Sequence, residues 1–222
     1  MFAHCFTCSK DTKAPVAIGR ALTAGGIGTL RFDFTGLGGS AGDFGNTTFS
    51  SNVEDLLHAA RWLDDKFAAP LAFIGHSLGG AAVLRAAARH AGCRAVVTIG
   101  APFEPAHVLQ HLGDALPDIE RAGAAEVTLA GRSFNIRHDF VRDLTQQDPR
   151  AAVASLHKPL LVMHAPLDDT VPLEDARRIF EAARHPKSFI ALDGADHLLS
   201  KSADGEYAGR LIAAWASRYL TT

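Results

Sequence analysis

The chain has 222 residues, 47% of them apolar and 21% charged, and a formal net charge of −2. That length suits one α/β domain with a core large enough to stand without staples. The basic residues make no stripe for nucleic acid, no run is long enough to span a membrane, and "MFAHCFTCSKD" lacks the charged-then-apolar order of a signal peptide.

Apolar runs alternate with helical patterns along the chain. "FAHCF" (2–6) reads as a strand end. The chain therefore opens almost inside a strand, so either the sheet edge is reduced or the natural start lies upstream. "APVAIGRALTAGG" (14–26) reads as a helix closed by glycine, and "GTLRFDF" (28–34) as a strand before the Gly-rich loop "TGLGGSAGDFGN". A helix with a Ser cap is predicted over 50–67, a strand over 70–75, a helix over 78–92 and a strand over 94–100. Residues 101–156 break the rhythm with short helical pieces and a hairpin, "EVTLAGRSFNI", that turns near Gly131. They are predicted to form a cap-like insertion within a single domain, 1–222. Alternation resumes with a strand over 158–165, a helix over 172–185, a strand over 187–194 and a last helix near 204–220. Short apolar strands between amphipathic helices predict a mostly parallel sheet covered on both faces.

Three cysteines, Cys5, Cys8 and Cys93, are an odd number, which argues against a disulfide framework and for a reduced, cytoplasmic protein.

"IGHSLGG" (74–80) joins a strand to a helix and contains Gly75-His76-Ser77-Leu78-Gly79, a G-x-S-x-G in the context where that pattern carries meaning. Glycines two before and two after the serine relieve a turn too tight for side chains. Ser77 is thereby raised at the carboxyl end of a strand, where open α/β sheets bind ligands. A serine hydroxyl needs a base, and the base needs a group to orient it. "LVMHAPLDDTVP" (161–172) offers Asp168 and Asp169 beyond a strand. Asp168 is preferred as the orienting acid, with Asp169 capping the next turn, although Asp favours turns in any case. Among eleven histidines, His197 in "LDGADHLLS" alone has the right order and a strand-end loop. His58, His90, His107 and His111 fall in helical patterns and read as surface or packing residues, His164 reads as structural, and His76 is expected to point away from Ser77.

Together, "GHSLGG", "HAPLDDTVP" and "GADHLL" resemble the α/β-hydrolase superfamily over nearly the whole chain. The nearer resemblance is to small serine-aminopeptidase-like or esterase-like hydrolases. "FAHCFTCSK" and "LRFDFTGLGGSAGDF" are similar to the hydrolase half of proteins fused to an OsmC-type domain, which makes an OsmC-like domain an expected partner. The resemblance implies an oxyanion hole from the backbone N–H groups of Phe6 and Leu78, with Cys5 where glycine is usual. It implies a structural role for Asp33 and a Ser77–His197–Asp168 esterase acting on a small-molecule ester, without cofactor or metal.

Other readings stay open. Cys5-Phe6-Thr7-Cys8 is a C-x-x-C that suits thiol redox or peroxide sensing. His4, Cys5 and Cys8 lack the fourth ligand a zinc site wants. An amidase or peptidase could run on the same triad, and a non-enzymatic interaction module would be expected to lose a triad member. Val108, Leu109 and Leu112 suit a short acyl group and equally suit packing onto the sheet. Oligomeric state, homo-oligomer included, is not set by the sequence.

Overall fold

The computed structural model describes residues 1–129 and 131–220. A two-residue strand, β1 (Phe2–Ala3), precedes α1 (Lys13–Ala24), which stops at Gly25. A 3-10 turn at Phe44–Asn46 leads into α2 (Phe49–Lys66), followed by β2 (Ala72–His76), α3 (Leu78–Arg89) and β3 (Ala95–Ile99). The stretch expected as an insertion starts with a 3-10 segment, Pro105–Leu112, and α4 (Ala115–Ala122). An antiparallel hairpin of β4 (Ala124–Leu129) and β5 (Arg132–Arg137) comes next, then α5 (His138–Thr145) and α6 (Pro149–Ala154). The alternation resumes with β6 (Leu160–His164), α7 (Leu173–Ala182), β7 (Lys187–Ala191) and α8 (Ser202–Leu220).

The main sheet has the order β1-β2-β3-β6-β7, and every neighbouring pair in it is parallel. Side chains alternate between its faces, as the two-residue period of a strand requires. Ile74, Val97, Leu161 and Met163 meet Ile18 and Leu22 of α1 and Ile212 of α8. Phe73, Val96, Leu160 and Val162 face the other way, toward Leu56 of α2, Val83 of α3 and Ile179 of α7. Both faces are thus covered, and β2, β3 and β6 are buried at every position. This is the α/β sheet that the sequence pattern predicts.

Three local expectations change. Residues 28–34 form no strand ladder. Phe2 N–H donates to the Leu30 carbonyl at 2.9 Å and Phe2 makes an isolated bridge to Arg31. With β1 only two residues long, the segment has little to pair along. The cap of α2 is Thr48 rather than a serine: its hydroxyl accepts from Ser51 N–H, and the Ser51 hydroxyl accepts from Thr48 N–H in return. Finally, Cys5 and Cys8, expected in a reduced protein, are bonded to each other. Cys8 N–H donates to the Cys5 carbonyl at 3.1 Å, which folds the four residues into a turn. Their α-carbons then lie 5.3 Å apart, within the span of a disulfide. Cys93 is free and buried.

The packing sets a stability contrast. Leu161 is 0% exposed in β6, and Leu167 is 90% exposed. Urea denaturation is expected to show Leu161→Ala losing about 2–5 kcal/mol and Leu167→Ala staying within about 0.5 kcal/mol of the parent.

Candidate active site

Because the strands run parallel, the loops after β2, β6 and β7 leave the sheet at one edge, and the three candidate residues lie on those loops. Ser77, directly after β2, has φ 54° and ψ −128°. A residue with a side chain holds such a conformation only when its surroundings enforce it. Here Ser77 N–H donates to the Ile99 carbonyl at 2.9 Å, and Gly80 N–H donates to the Ser77 carbonyl at 2.8 Å. A Cβ on Gly75 would fall 2.3 Å from the Gly79 oxygen, and one on Gly79 would fall 2.4 Å from the His4 oxygen. No side chain fits at either position. The bare crossing lets α3 begin against the end of β1.

His197 is only 7% exposed on the loop after β7. Its Nδ1 lies 2.7 Å from Asp168 Oδ2, and its Nε2 lies 3.1 Å from Ser77 Oγ. The other carboxylate oxygen of Asp168 accepts from the Thr170 and Val171 N–H groups, both at 2.9 Å. Burial pushes the Asp168 carboxyl upward. The bond from His197 and the two backbone N–H groups outweigh this and hold it below the ordinary carboxylate range. An ionised Asp168 takes the Nδ1–H of a neutral imidazole. Nε2 then carries the free lone pair and can accept the Ser77 hydroxyl proton. The turn-capping role expected of Asp169 belongs to Asp168 itself. Asp169 is exposed, and its carboxylate accepts from the Thr170 hydroxyl at 3.2 Å.

Two histidines away from the reacting atoms support this arrangement. His76 does point away from Ser77, and its Nε2–H donates to the backbone carbonyl of His197 at 2.7 Å. It thereby pins the loop that presents the imidazole. Burial, then the neighbouring His197, lowers its pKa to about 4. His164 Nε2–H donates to the Val171 carbonyl at 2.8 Å and steadies the turn that carries Asp168. The role of His76 was missed in the sequence, where its position beside the serine was the only signal.

Phe6 and Leu78 line the same cleft as Ser77 and His197. Among the described residues, neither the Phe6 nor the Leu78 N–H donates a turn or loop hydrogen bond. The Cys5 side chain turns into the disulfide, and His4 Nδ1–H donates to the Cys5 carbonyl at 2.9 Å. Asp33 is structural as expected. It accepts from Lys10 N–H at 2.6 Å and from Gly39 N–H at 2.9 Å, which ties the first loop to the Gly-rich one.

The cleft measures about 600 Å3, and its second wall comes from the 101–156 segment. Val108 lines it, whereas Leu112 is buried and Leu109 half-buried in the core cluster. His107 and His111, read from their helical spacing as surface or packing residues, also line it. Among the described residues, no group of three or more His, Cys, Asp or Glu is placed to hold a metal ion, and the disulfide removes both thiols from the His4-Cys5-Cys8 grouping.

A family model described as serine aminopeptidase, S33, matches residues 12–128, more than half of the chain. The chain belongs to that family of α/β-hydrolases. The crystal structure of the esterase domain from a Rhodothermus marinus protein is 48% identical, with a TM-score of 0.80 over 99% of this chain and 86% of that one. Est1E from Butyrivibrio proteoclasticus, with ferulic acid bound, shares the fold at 21% identity and a TM-score of 0.80, covering 100% of this chain and 88% of that one. Mouse palmitoyl-protein thioesterase ABHD10 is 27% identical over 79% of this chain and 60% of its own length. An uncharacterised protein of Mycobacterium tuberculosis is 26% identical over 88% of this chain and 61% of its own. The chain thus spans about three fifths of the length of these curated relatives.

The buried, neutral His76 links stability to pH. Its pKa falls from an ordinary value near 6.5 to about 4 in the fold, so between those values the unfolded chain binds the extra proton. Its contribution is intact above pH 6.5 and is lost by roughly 3 kcal/mol as pH falls to 4. His76→Gln, which keeps a donor and does not titrate, is expected to flatten the stability curve in that window. Parallel denaturation curves for parent and variant would contradict this.

Proposed function

We propose that this protein is a serine esterase that cleaves small carboxylic esters through an acyl-enzyme. The observation that carries the reading is the continuous hydrogen-bonded chain from Asp168 through His197 to Ser77, at 2.7 and 3.1 Å. In this mechanism His197 Nε2 takes the Ser77 proton as Oγ attacks the ester carbonyl. Asp168 holds the imidazole in its working tautomer and stabilises the imidazolium. The oxyanion accepts hydrogen bonds from the Phe6 and Leu78 N–H groups, where one donor typically contributes about 3 kcal/mol. His197 returns its proton to the leaving alcohol. A water, deprotonated by His197, then releases the acid and restores Ser77.

The cleft favours an ester over the amino terminus of a peptide, the substrate in the family's name. A free α-ammonium calls for a carboxylate at the mouth. No Asp or Glu is among the described residues that line the cleft, and Asp168 is engaged by His197 behind it. Apolar Val108, Leu129, Val171 and Leu198 instead suit a short acyl or alkyl group. Among the described residues, no helix is long and apolar enough to cross a membrane.

The test combines a fluorophosphonate probe with p-nitrophenyl esters of graded acyl length. The parent is expected to label at Ser77 and to turn over short acyl esters best. Ser77→Ala should lose both labelling and turnover. Asp168→Asn should lose roughly 10⁴-fold in kcat with its fold intact, because the imidazole then sits in the wrong tautomer. Undiminished turnover by Ser77→Ala would remove this serine from the mechanism.

A further inference from the structure

We propose that the Cys5–Cys8 disulfide is a thiol-exchange site that clasps the oxyanion loop, so that a small dithiol switches the esterase down and its oxidised form switches it back up. The inference rests on the esterase reading above and adds its regulation.

The disulfide encloses the donor. Phe6 and Thr7 are the two residues between the bonded cysteines. The Cys5 carbonyl accepts from His4 Nδ1–H at 2.9 Å and from Cys8 N–H at 3.1 Å. The peptide between Cys5 and Phe6 is planar and trans, so fixing its carbonyl also fixes the direction of the Phe6 N–H. Thr7 sits at φ 59°, a left-handed conformation rare for a β-branched residue. Such a conformation persists where the surroundings over-determine it, and the bond between Cys5 and Cys8 closes the turn across it. Opening that bond leaves Thr7 free to return to negative φ, which swings the Phe6 peptide out of line.

Beyond the turn the chain is held independently. Lys10 N–H and the Lys10 ammonium bind opposite oxygens of Asp33, at 2.6 and 2.9 Å. Breaking the disulfide therefore loosens residues 5–8 and leaves the fold in place.

The bond is also within reach. Cys8 is half-buried and lines two clefts, the one holding Ser77 and a neighbouring one bounded by Lys13, His76 and Leu198. Cys5 is 6% exposed. A dithiol's thiolate attacks Cys8 Sγ, the bond to Cys5 breaks, and Cys5 leaves as a thiolate that takes a proton. The second thiol then attacks the first sulfur of the reagent and releases Cys8. Two cysteine thiols form and the dithiol becomes a cyclic disulfide, a balanced two-electron exchange. The oxidised dithiol reverses each step.

The experiment equilibrates the full chain with dithiothreitol or its oxidised form, removes the reagent, and measures ester kinetics beside a thiol count under denaturing conditions. One thiol is expected in the oxidised protein, from Cys93, and three in the reduced protein. On reduction kcat should fall roughly 10²-fold, the loss of one oxyanion donor, with KM little changed and the unfolding transition preserved. Reoxidation should restore it. Cys8→Ser should match the reduced protein and ignore the reagent, while Cys93→Ala should keep the full response. Equal kcat at one thiol and at three overturns the clasp and leaves the esterase standing. Three thiols that survive the oxidised dithiol overturn it too. Turnover by neither form overturns the esterase reading and the clasp with it.

Discussion

The approach of β2 to α3 at Gly75 and Gly79 leaves no space for a side chain, and the geometry of the carboxyl edge depends on it. A Cβ at either glycine would lie well inside contact distance of main-chain oxygen. Without one, Ser77 can be held at φ 54° by hydrogen bonds to the end of β3 and the first turn of α3. The same crossing seats α3 against the backbone of Ala3 and His4 at the end of β1. One steric constraint thus sets both the raised serine and the start of α3.

Around that turn Asp168 and the two supporting histidines already hold hydrogen bonds before any substrate arrives. Asp168 is buried and stays ionised because His197 and two backbone N–H groups bond it. His76 and His164 steady the two loops by donating to backbone carbonyls of His197 and Val171. Preorganised donors and acceptors of this kind need little rearrangement as charge develops in the transition state.

Most of the fold was legible because parallel strands buried on both faces must be short apolar runs, and "PLAFIG", "RAVVTIG" and "KPLLVMHA" are such runs. The serine, acid and histidine were legible because their loops follow strands in a fixed chain order. Residues 28–34 misled because an apolar pattern reports burial, and only a partner strand makes a ladder; β1 is too short to supply one. His107 and His111 read as surface or packing residues, and only the folded chain shows that the 3-10 segment carrying them walls the Ser77 cleft. The disulfide was hidden because three cysteines and a C-x-x-C leave the bonding open until the turn brings Cys5 and Cys8 together.

The central claim is that Ser77, His197, Phe6 and Leu78 converge on one reacting carbonyl. A crystal structure of the protein phosphonylated by a small fluorophosphonate tests it most directly. The account predicts phosphorus bonded to Ser77 Oγ, with its oxygen about 3 Å from both the Phe6 and Leu78 nitrogens and His197 still bonded to Asp168. A phosphoryl oxygen turned away from those amides, or an adduct on another residue, would contradict it.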